Sequence, residues 1–212
     1  ASVRPTFAVN TRLFERNPLL RAQIAERGDE VMCHSWSMDT VHAGGLDEAE
    51  EKELVQRSLS RLRELTGQPV RGWLSPGKLE SPNTLDLVAA EGVEYVCDWV
   101  NDEVPYRFST ASGDLWSMPL STEISDTFTL VDNLHSEESW ADQVCDAADL
   151  LHAEAKEQGG RILTLTLTPW LVGQPHRIKH VERVLDHVTS LPGVWSAYGG
   201  EILDAAKPQI TS

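Results

Sequence analysis

Residues 29–39 read DEVMCHSWSMD, in which an apolar stretch, Val31–Cys33, ends on His34 and opens into a polar loop. Residues 46–65 then place their apolar side chains on one helical stripe and stop before Gly67. The succession recurs along the chain, with strand-like PTFAVN, VRGWLS, VEYVCDW, LWSMPL and RILTLTLT and helix-like segments 82–91 and 137–158. This alternation predicts an α/β fold in which helices cover a parallel sheet.

The kind of α/β fold follows from the loops. No glycine-rich GxGxxG turn opens a helix, which argues against a dinucleotide-binding sheet, so a (β/α) barrel fits better. In such barrels the chemistry lies at the C-terminal ends of the strands. The segments to inspect are therefore His34, Trp73–Pro76, Asp98–Asp102, Glu123–Asp126 and Thr168–Trp170.

Composition excludes several classes of partner. The chain has 33 acidic and 18 basic residues and a formal net charge of -15, which repels nucleic acid and anionic membranes. Its three cysteines (Cys33, Cys97 and Cys145) are odd in number and widely spaced, and we expect reduced thiols. Without a linker, a spanning apolar run or a signal-peptide core, we expect one domain over residues 1–212, located in the cytoplasm.

His34 is the first candidate for chemistry. A hydrolytic zinc site needs three protein ligands, and Met38 stands where a second imidazole four positions on would be placed. His42 lies further along the loop, where this spacing makes it a poor ligand. If the protein binds a metal, we expect His34 to be one of its ligands. A histidine whose ring nitrogens are hydrogen-bonded by backbone groups is an equal alternative.

Carboxylates supply the other catalytic candidates. Asp98 stands between an apolar strand and Trp99, so we expect it to be partly desolvated and suited to proton transfer. The alternative is a solvated acidic loop that extends to Asp102 and Glu103. Glu123 and Asp126 follow the strand LWSMPL and are further catalytic candidates.

The remaining candidates would bind substrate. Aromatic side chains would form the walls of a pocket. Gln174 and Arg177 would bind carbonyl or carboxylate groups of the substrate. Trp170 as a packed lid and Arg177 as a solvated helix-start charge are equal alternatives. The predicted substrate-binding residues are Ser35, Trp36, Trp73, Pro76, Trp99, Trp170, Gln174 and Arg177.

The order of these segments resembles the NodB-type polysaccharide deacetylases, and in particular their allantoinase-like and imidase-like branch. The resemblance rests on AERGDEVMCHSWS, GLDEAEEKELVQRSLSRLRELTGQPVRGWLSP, TLDLVAAEGVEYVCDWVNDEVPY, MPLSTEISD and LTPWLVGQPHRIKHVERVLDHV. It implies a distorted (β/α) barrel of about seven strands, here without its first strand, and an assembly into oligomers.

Three departures from the family pattern bear on the metal. The Thr-Phe-Asp-Asp motif is absent, Met38 replaces the second histidine of His-Ser-x-x-x-His, and Thr168 replaces the histidine of Leu-x-His-Pro-Trp. The ligand set that the resemblance implies for zinc is thus incomplete. A homo-oligomer, or a second chain that supplies the missing strand, would cover the exposed sheet edge, unless the chain is a fragment.

Two functions remain open from the sequence. The first is hydrolysis of a C–N amide bond in a small cyclic amide, imide or ureido-type substrate, with Asp98 and His34 as the acid/base pair. The second is a catalytically degenerate subunit that binds or stabilises a catalytic partner. Polysaccharide deacetylation is a third possibility that needs the intact metal triad.

Overall fold

The computed structural model describes residues 3–210, which fall into two compact units. One contains Arg4–Trp99, Pro105–Met118 and residues 197–210, and the other consists mainly of Pro119–Ser196 with Val100–Val104. The prediction of a single domain stays a prediction. We describe each unit by itself.

The first unit is built on a six-stranded sheet in the order β1-β2-β3-β4-β6-β5. Its strands are β1 (Phe7–Val9), β2 (Val31–Cys33), β3 (Gly72–Trp73), β4 (Tyr95–Val96), β5 (Tyr106–Thr110) and β6 (Gly113–Ser117). All neighbouring pairs are parallel except β5 and β6. Five of the six strands, all but β5, overlap strand-like segments of the sequence, and β1 to β4 confirm the predicted parallel pairing.

Five helices belong to this unit: α1 (Thr11–Arg16), α2 (Pro18–Arg27), α3 (Glu48–Thr66), α4 (Thr84–Ala90) and α8 (Gly199–Ile210). The predicted helix over 46–65 is confirmed as α3. Asp47 caps its start, since the carboxylate accepts from the N–H groups of Ala49 and Glu50, and Gly67 ends it in the left-handed region at φ 68. The core against the sheet is apolar and includes Val55, Leu59, Leu62, Val88 and Leu115.

The second unit is mainly helical. Its helices are α5 (Glu137–Gln158), α6 (Pro169–Val172) and α7 (Ile178–Ser190), preceded by a short π-helix, Thr127–Asp132. The predicted helix over 137–158 is confirmed, and Ser136 caps its start, because the Ser136 hydroxyl accepts from Ser139 N–H. Trp140, Val144 and Val184 lie in its core.

Two strand expectations need correction. Residues 161–168 (RILTLTLT) form no strand, because their backbone makes isolated bonds, such as Ile162 N–H to Glu103 O at 3.0 Å, instead of a ladder. The sheet is also not wholly parallel. β5 was not predicted. It pairs antiparallel with β6 across a tight turn, and Gly113, the first residue of β6, has a φ of 121.

Candidate functional site

The carboxyl ends of three adjacent parallel strands bring the polar candidates of the first unit together. Cys33 pairs with Trp73, and Trp73 pairs with Val96, so the carboxyl ends of β2, β3 and β4 lie side by side. His34 directly follows the end of β2, and Asp98 follows the end of β4 after Cys97. This is the place where the sequence predicted the chemistry.

His34 is held in one orientation by the backbone. Its Nδ1 lies 2.6 Å from the carbonyl oxygen of Leu74, which only accepts, so Nδ1 carries the proton. Burial lowers the pKa of His34, although the bond to Leu74 and the charge of Asp98 oppose this. The imidazole is therefore neutral near pH 7, and its Nε2 keeps a lone pair.

Asp98 is anchored by Ser75, which the loop after β3 supplies. The Ser75 N–H and hydroxyl donate to the two carboxylate oxygens at 2.7 and 2.8 Å, and the Trp73 indole N–H donates to the same hydroxyl at 2.8 Å. Burial raises the pKa of Asp98, against the hydrogen bonds from Ser75 and Glu80. The predicted partial desolvation of Asp98 is thus present in the structure.

Glu80 completes the cluster and was missed by the sequence analysis. Burial and the negative charge of Asp98 raise the pKa of Glu80 to about 8. The two carboxyl groups hydrogen-bond to each other and share one proton, with Glu80 as the better proton holder. Within residues 3–210, the buried Oε1 of Glu80 has no hydrogen-bond partner. Its only signal in the sequence is a carboxylate in the long Pro- and Gly-containing loop after β3.

An open cleft of about 440 Å³ gives access to these carboxyl groups. It is lined by Lys78, Glu80, Ser81, Pro82, Asp98 and Trp99. Trp99 is 41% exposed and lines this cleft, and its role in substrate binding stays a prediction. A cleft of this size accommodates a small organic molecule.

Several predicted substrate-binding residues lie beneath the surface instead. Trp73 and Ser35 have no exposed surface and Pro76 is buried, and substrate binding by these three residues stays a prediction. Trp73 packs into the core, where a large aromatic ring buries the most apolar area. Trp36 is partly exposed and stacks against the Arg57 guanidinium, whose Cζ lies 4.2 Å from the centre of the Trp36 ring.

The carboxylates predicted in the second unit have different environments. Glu123 is exposed, whereas Asp126 has no exposed surface. Asp126 accepts from the N–H groups of Thr127 and Thr168 and from the Thr168 hydroxyl. Its carboxylate therefore stabilises the loop in which Thr168 replaces the family's histidine, and a catalytic role for either carboxylate stays a prediction.

Trp170, Gln174 and Arg177 lie around α6 in the second unit. Trp170 is 66% exposed, and the Gln174 amide donates to its carbonyl oxygen at 2.9 Å. Arg177 forms a 2.8 Å ion pair with Glu137 at the start of α5. Arg177 thus already has a carboxylate partner, and substrate binding by these three residues stays a prediction.

The residues present do not fit a zinc ion by themselves. Among residues 3–210, no three His, Cys, Asp or Glu side chains are grouped as metal ligands, and His42 bonds to Ser35 and Glu51. The three cysteines are buried thiols, and burial raises the pKa of Cys33 to about 12.

Comparison with known proteins agrees with this geometry. Residues 1–96 match the sequence model of the polysaccharide deacetylase family. The predicted family resemblance is confirmed. A Schizosaccharomyces pombe protein assigned to the polysaccharide deacetylases is 25% identical over 90% of this chain, which spans 64% of that protein's length.

Solved structures of the family share the fold. A polysaccharide deacetylase homologue from Pseudomonas aeruginosa PAO1 is 29% identical, with a TM-score of 0.85 over 95% of this chain and 67% of its own. The Puue allantoinase is 28% identical, with a TM-score of 0.86 over 97% of this chain and 69% of its own. The predicted fold class, a distorted (β/α) barrel of the NodB deacetylase type, is confirmed, and the allantoinase-like branch is consistent with these matches. The chain thus has the fold of a hydrolase superfamily. None of its helices within residues 3–210 has both the length and the apolar character that crossing a bilayer requires.

Proposed function

We propose that this deacetylase homologue hydrolyses a C–N amide bond in a small cyclic amide, imide or ureido-type substrate. The observation that carries the proposal is the placement of the Glu80 and Asp98 carboxyl groups together in the lining of an open cleft, where burial raises the pKa of both, with His34 within the electrostatic influence of Asp98. Two carboxyl groups with different proton affinities, next to an imidazole with a free lone pair, provide both an acid and a base.

The geometry supports a simple assignment of roles. His34 Nε2 accepts a proton from water as the water oxygen attacks the amide carbonyl carbon. Glu80, protonated below about pH 8, donates its proton to the nitrogen as the C–N bond breaks. Asp98 accepts the Glu80 hydrogen bond and stabilises the imidazolium of His34, which afterwards returns its proton through solvent to Glu80.

The proposed substrate class is supported by the properties of the cleft and by the similarity to one solved structure. The volume of about 440 Å³ suits a small molecule, and Trp99 offers a flat surface for a ring. The name of the Puue allantoinase, a ureido-type hydrolase, supports the same class.

The test is turnover of a panel of cyclic amides, imides, hydantoins and allantoin by the purified chain and by Asp98→Asn. We expect Asp98→Asn to lose about 10²- to 10⁴-fold in kcat, since it removes the negative charge that raises the pKa of Glu80 and stabilises the imidazolium of His34. Asp114→Asn is the matched control, because Asp114 is exposed on β6 and pairs only with Arg107, at 3.2 Å. Wild-type turnover by Asp98→Asn, with its fold intact, contradicts the assignment.

A further inference from the structure

Five polar side chains are buried beneath the cleft and have no part in the steps above. Ser35, His42, Glu51 and Thr84 have no exposed surface, and Ser81 is 7% exposed. They come from the loop after β2, from α3 and from the start of α4. A charged group with no exposed surface is unusual, so the partners of Glu51 need an explanation.

Three of the other four side chains bond directly to the Glu51 carboxylate, and Ser35 joins the network through His42. His42 Nδ1 lies 2.9 Å from Oε1, the Thr84 hydroxyl donates to Oε1 at 2.6 Å, and the Ser81 hydroxyl donates to Oε2. On its other side, His42 Nε2 lies 2.9 Å from the Ser35 hydroxyl. Burial opposes ionisation of Glu51, but the bonds from Ser81, Thr84 and His42 outweigh it and lower its pKa.

The tautomer of His42 follows from its partners. The ionised Glu51 only accepts, so His42 Nδ1 carries the proton and Nε2 accepts from the Ser35 hydroxyl. Serine, histidine and glutamate thus stand in the order of a nucleophilic triad. Because none of the three has exposed surface, no ester or amide reaches Ser35 Oγ, and the network has another role.

The network touches both loops that carry the proposed acid and base. Ser35 directly follows His34 and adopts φ 57, a left-handed conformation that a non-glycine residue seldom takes without support. Ser81 directly follows Glu80 and lines the cleft, and its N–H donates to the Thr84 hydroxyl at 2.9 Å. One carboxylate on α3 therefore holds the positions next to both groups.

We propose that Glu51 is a positioning residue that aligns Glu80, through Ser81 and Thr84, with His34, through His42 and Ser35. The proposal rests on the proposed function, since it concerns the same cleft. A rigid helix is suited to this task, because loop residues need such support to keep a reactive geometry. Glu51 itself touches no substrate.

The test variant is Glu51→Gln, which keeps the side-chain volume but cannot accept from all three donors. We expect kcat to fall by about 10²-fold with KM little changed, because small misplacements of reacting groups have effects of this size. Glu51→Asp, which keeps a carboxylate, should recover part of kcat. Ser35→Ala breaks only the link toward His34 and should give a smaller fall.

Glu30→Gln is the matched control for lost stability. Glu30 precedes β2 and accepts from the Thr6 hydroxyl at 2.8 Å, Gly200 N–H at 3.1 Å and the Tyr95 hydroxyl at 3.3 Å. Its loss removes a carboxylate network of similar size from the same unit without touching the cleft. Glu30→Gln should melt earlier than wild type yet keep its kcat below the melting range.

A readout without substrate separates this proposal from the proposed function. The charged groups around Glu80 are Asp98 after β4, Glu51 on α3 and Lys78 in its own loop, with His34 beyond Asp98. Glu51 also raises the pKa of Glu80 through its charge, so the readout uses Thr84→Val, which keeps that charge and breaks one link of the network. Carbon-13 NMR of the side-chain carboxyl groups should show the high titration of Glu80 in wild type and in Glu30→Gln, and a shift toward the ordinary range in Thr84→Val. If wild type turns over nothing but Thr84→Val shifts this titration, the proposed function fails and the alignment of Glu80 by the network stands. Unchanged titration in Thr84→Val, together with an unchanged kcat of Glu51→Gln wherever turnover is found, overturns the proposal.

Discussion

The protonation of Glu80 is the residue-scale property on which the proposed chemistry depends. A carboxyl group in water loses its proton near pH 4 and cannot act as an acid at neutral pH. Burial and the neighbouring Asp98 raise the pKa of Glu80 to about 8. The active form then has a protonated Glu80 and a neutral His34, whose pKa burial lowers.

This predicts a bell-shaped dependence of kcat/KM on pH. Activity should rise as His34 loses its proton, below its ordinary value of about 6.5, and fall as Glu80 ionises near pH 8. In Glu80→Gln the limb near pH 8 should disappear and kcat should drop by about 10²-fold or more. Initial rates from pH 5 to 10 provide the measurement, and a limb near pH 8 that survives in Glu80→Gln assigns it to another group.

At the scale of elements, α3 links the sheet to the cleft. Its buried stripe consists of Leu54, Val55, Leu59 and Leu62, with Glu51 one turn before them. The helix thus packs the core with its C-terminal turns and supports the site with its first turns. Its start must be well defined for Glu51 to reach both loops.

Asp47→Ala tests this start. The variant removes the cap that accepts from Ala49 N–H at 3.0 Å and Glu50 N–H at 3.3 Å, and it should lower the free energy of unfolding by about 1 kcal/mol. Glu53→Ala removes the same charge from the exposed face of the same helix and should stay within about 0.5 kcal/mol of wild type. Urea unfolding followed by circular dichroism compares them, and equal stabilities would show that the cap contributes nothing.

At the scale of the whole molecule, the edge of the sheet is the feature that bears on oligomer formation. β1 is the terminal strand of the sheet, with β2 on one side and no strand on the other within the described residues. Such an edge favours pairing with another chain unless it is covered. The family resemblance implies oligomers, and the chain spans 64% of the yeast relative.

We therefore expect native mass spectrometry of the protein from its own source to show more than one subunit per particle. Copies of this chain alone would favour a self-contained hydrolase. A second polypeptide would favour the alternative of a subunit that completes or stabilises a catalytic partner. Denaturing spectra of the same sample give the subunit masses, and a monomeric particle would contradict the prediction.

The sequence by itself determined the β/α alternation and the ends of α3 and α5, and it placed His34 and Asp98 at strand ends. These depend on local rules, namely helical periodicity, a serine such as Ser136 at a helix start, a glycine such as Gly67 at a helix end, and polar residues after apolar strands. Only the tertiary structure decided that Glu80 joins Asp98 and that Glu51 is buried. Glu51 occupies a position on the apolar stripe of α3, where the sequence alone predicts that a charged side chain is exposed to solvent. Its hydrogen-bond partners are 9, 30 and 33 residues away in the chain, and only the fold brings them to its carboxylate. The raised pKa of Glu80 likewise arises from burial and from a neighbour that follows the next strand, and no local pattern encodes either.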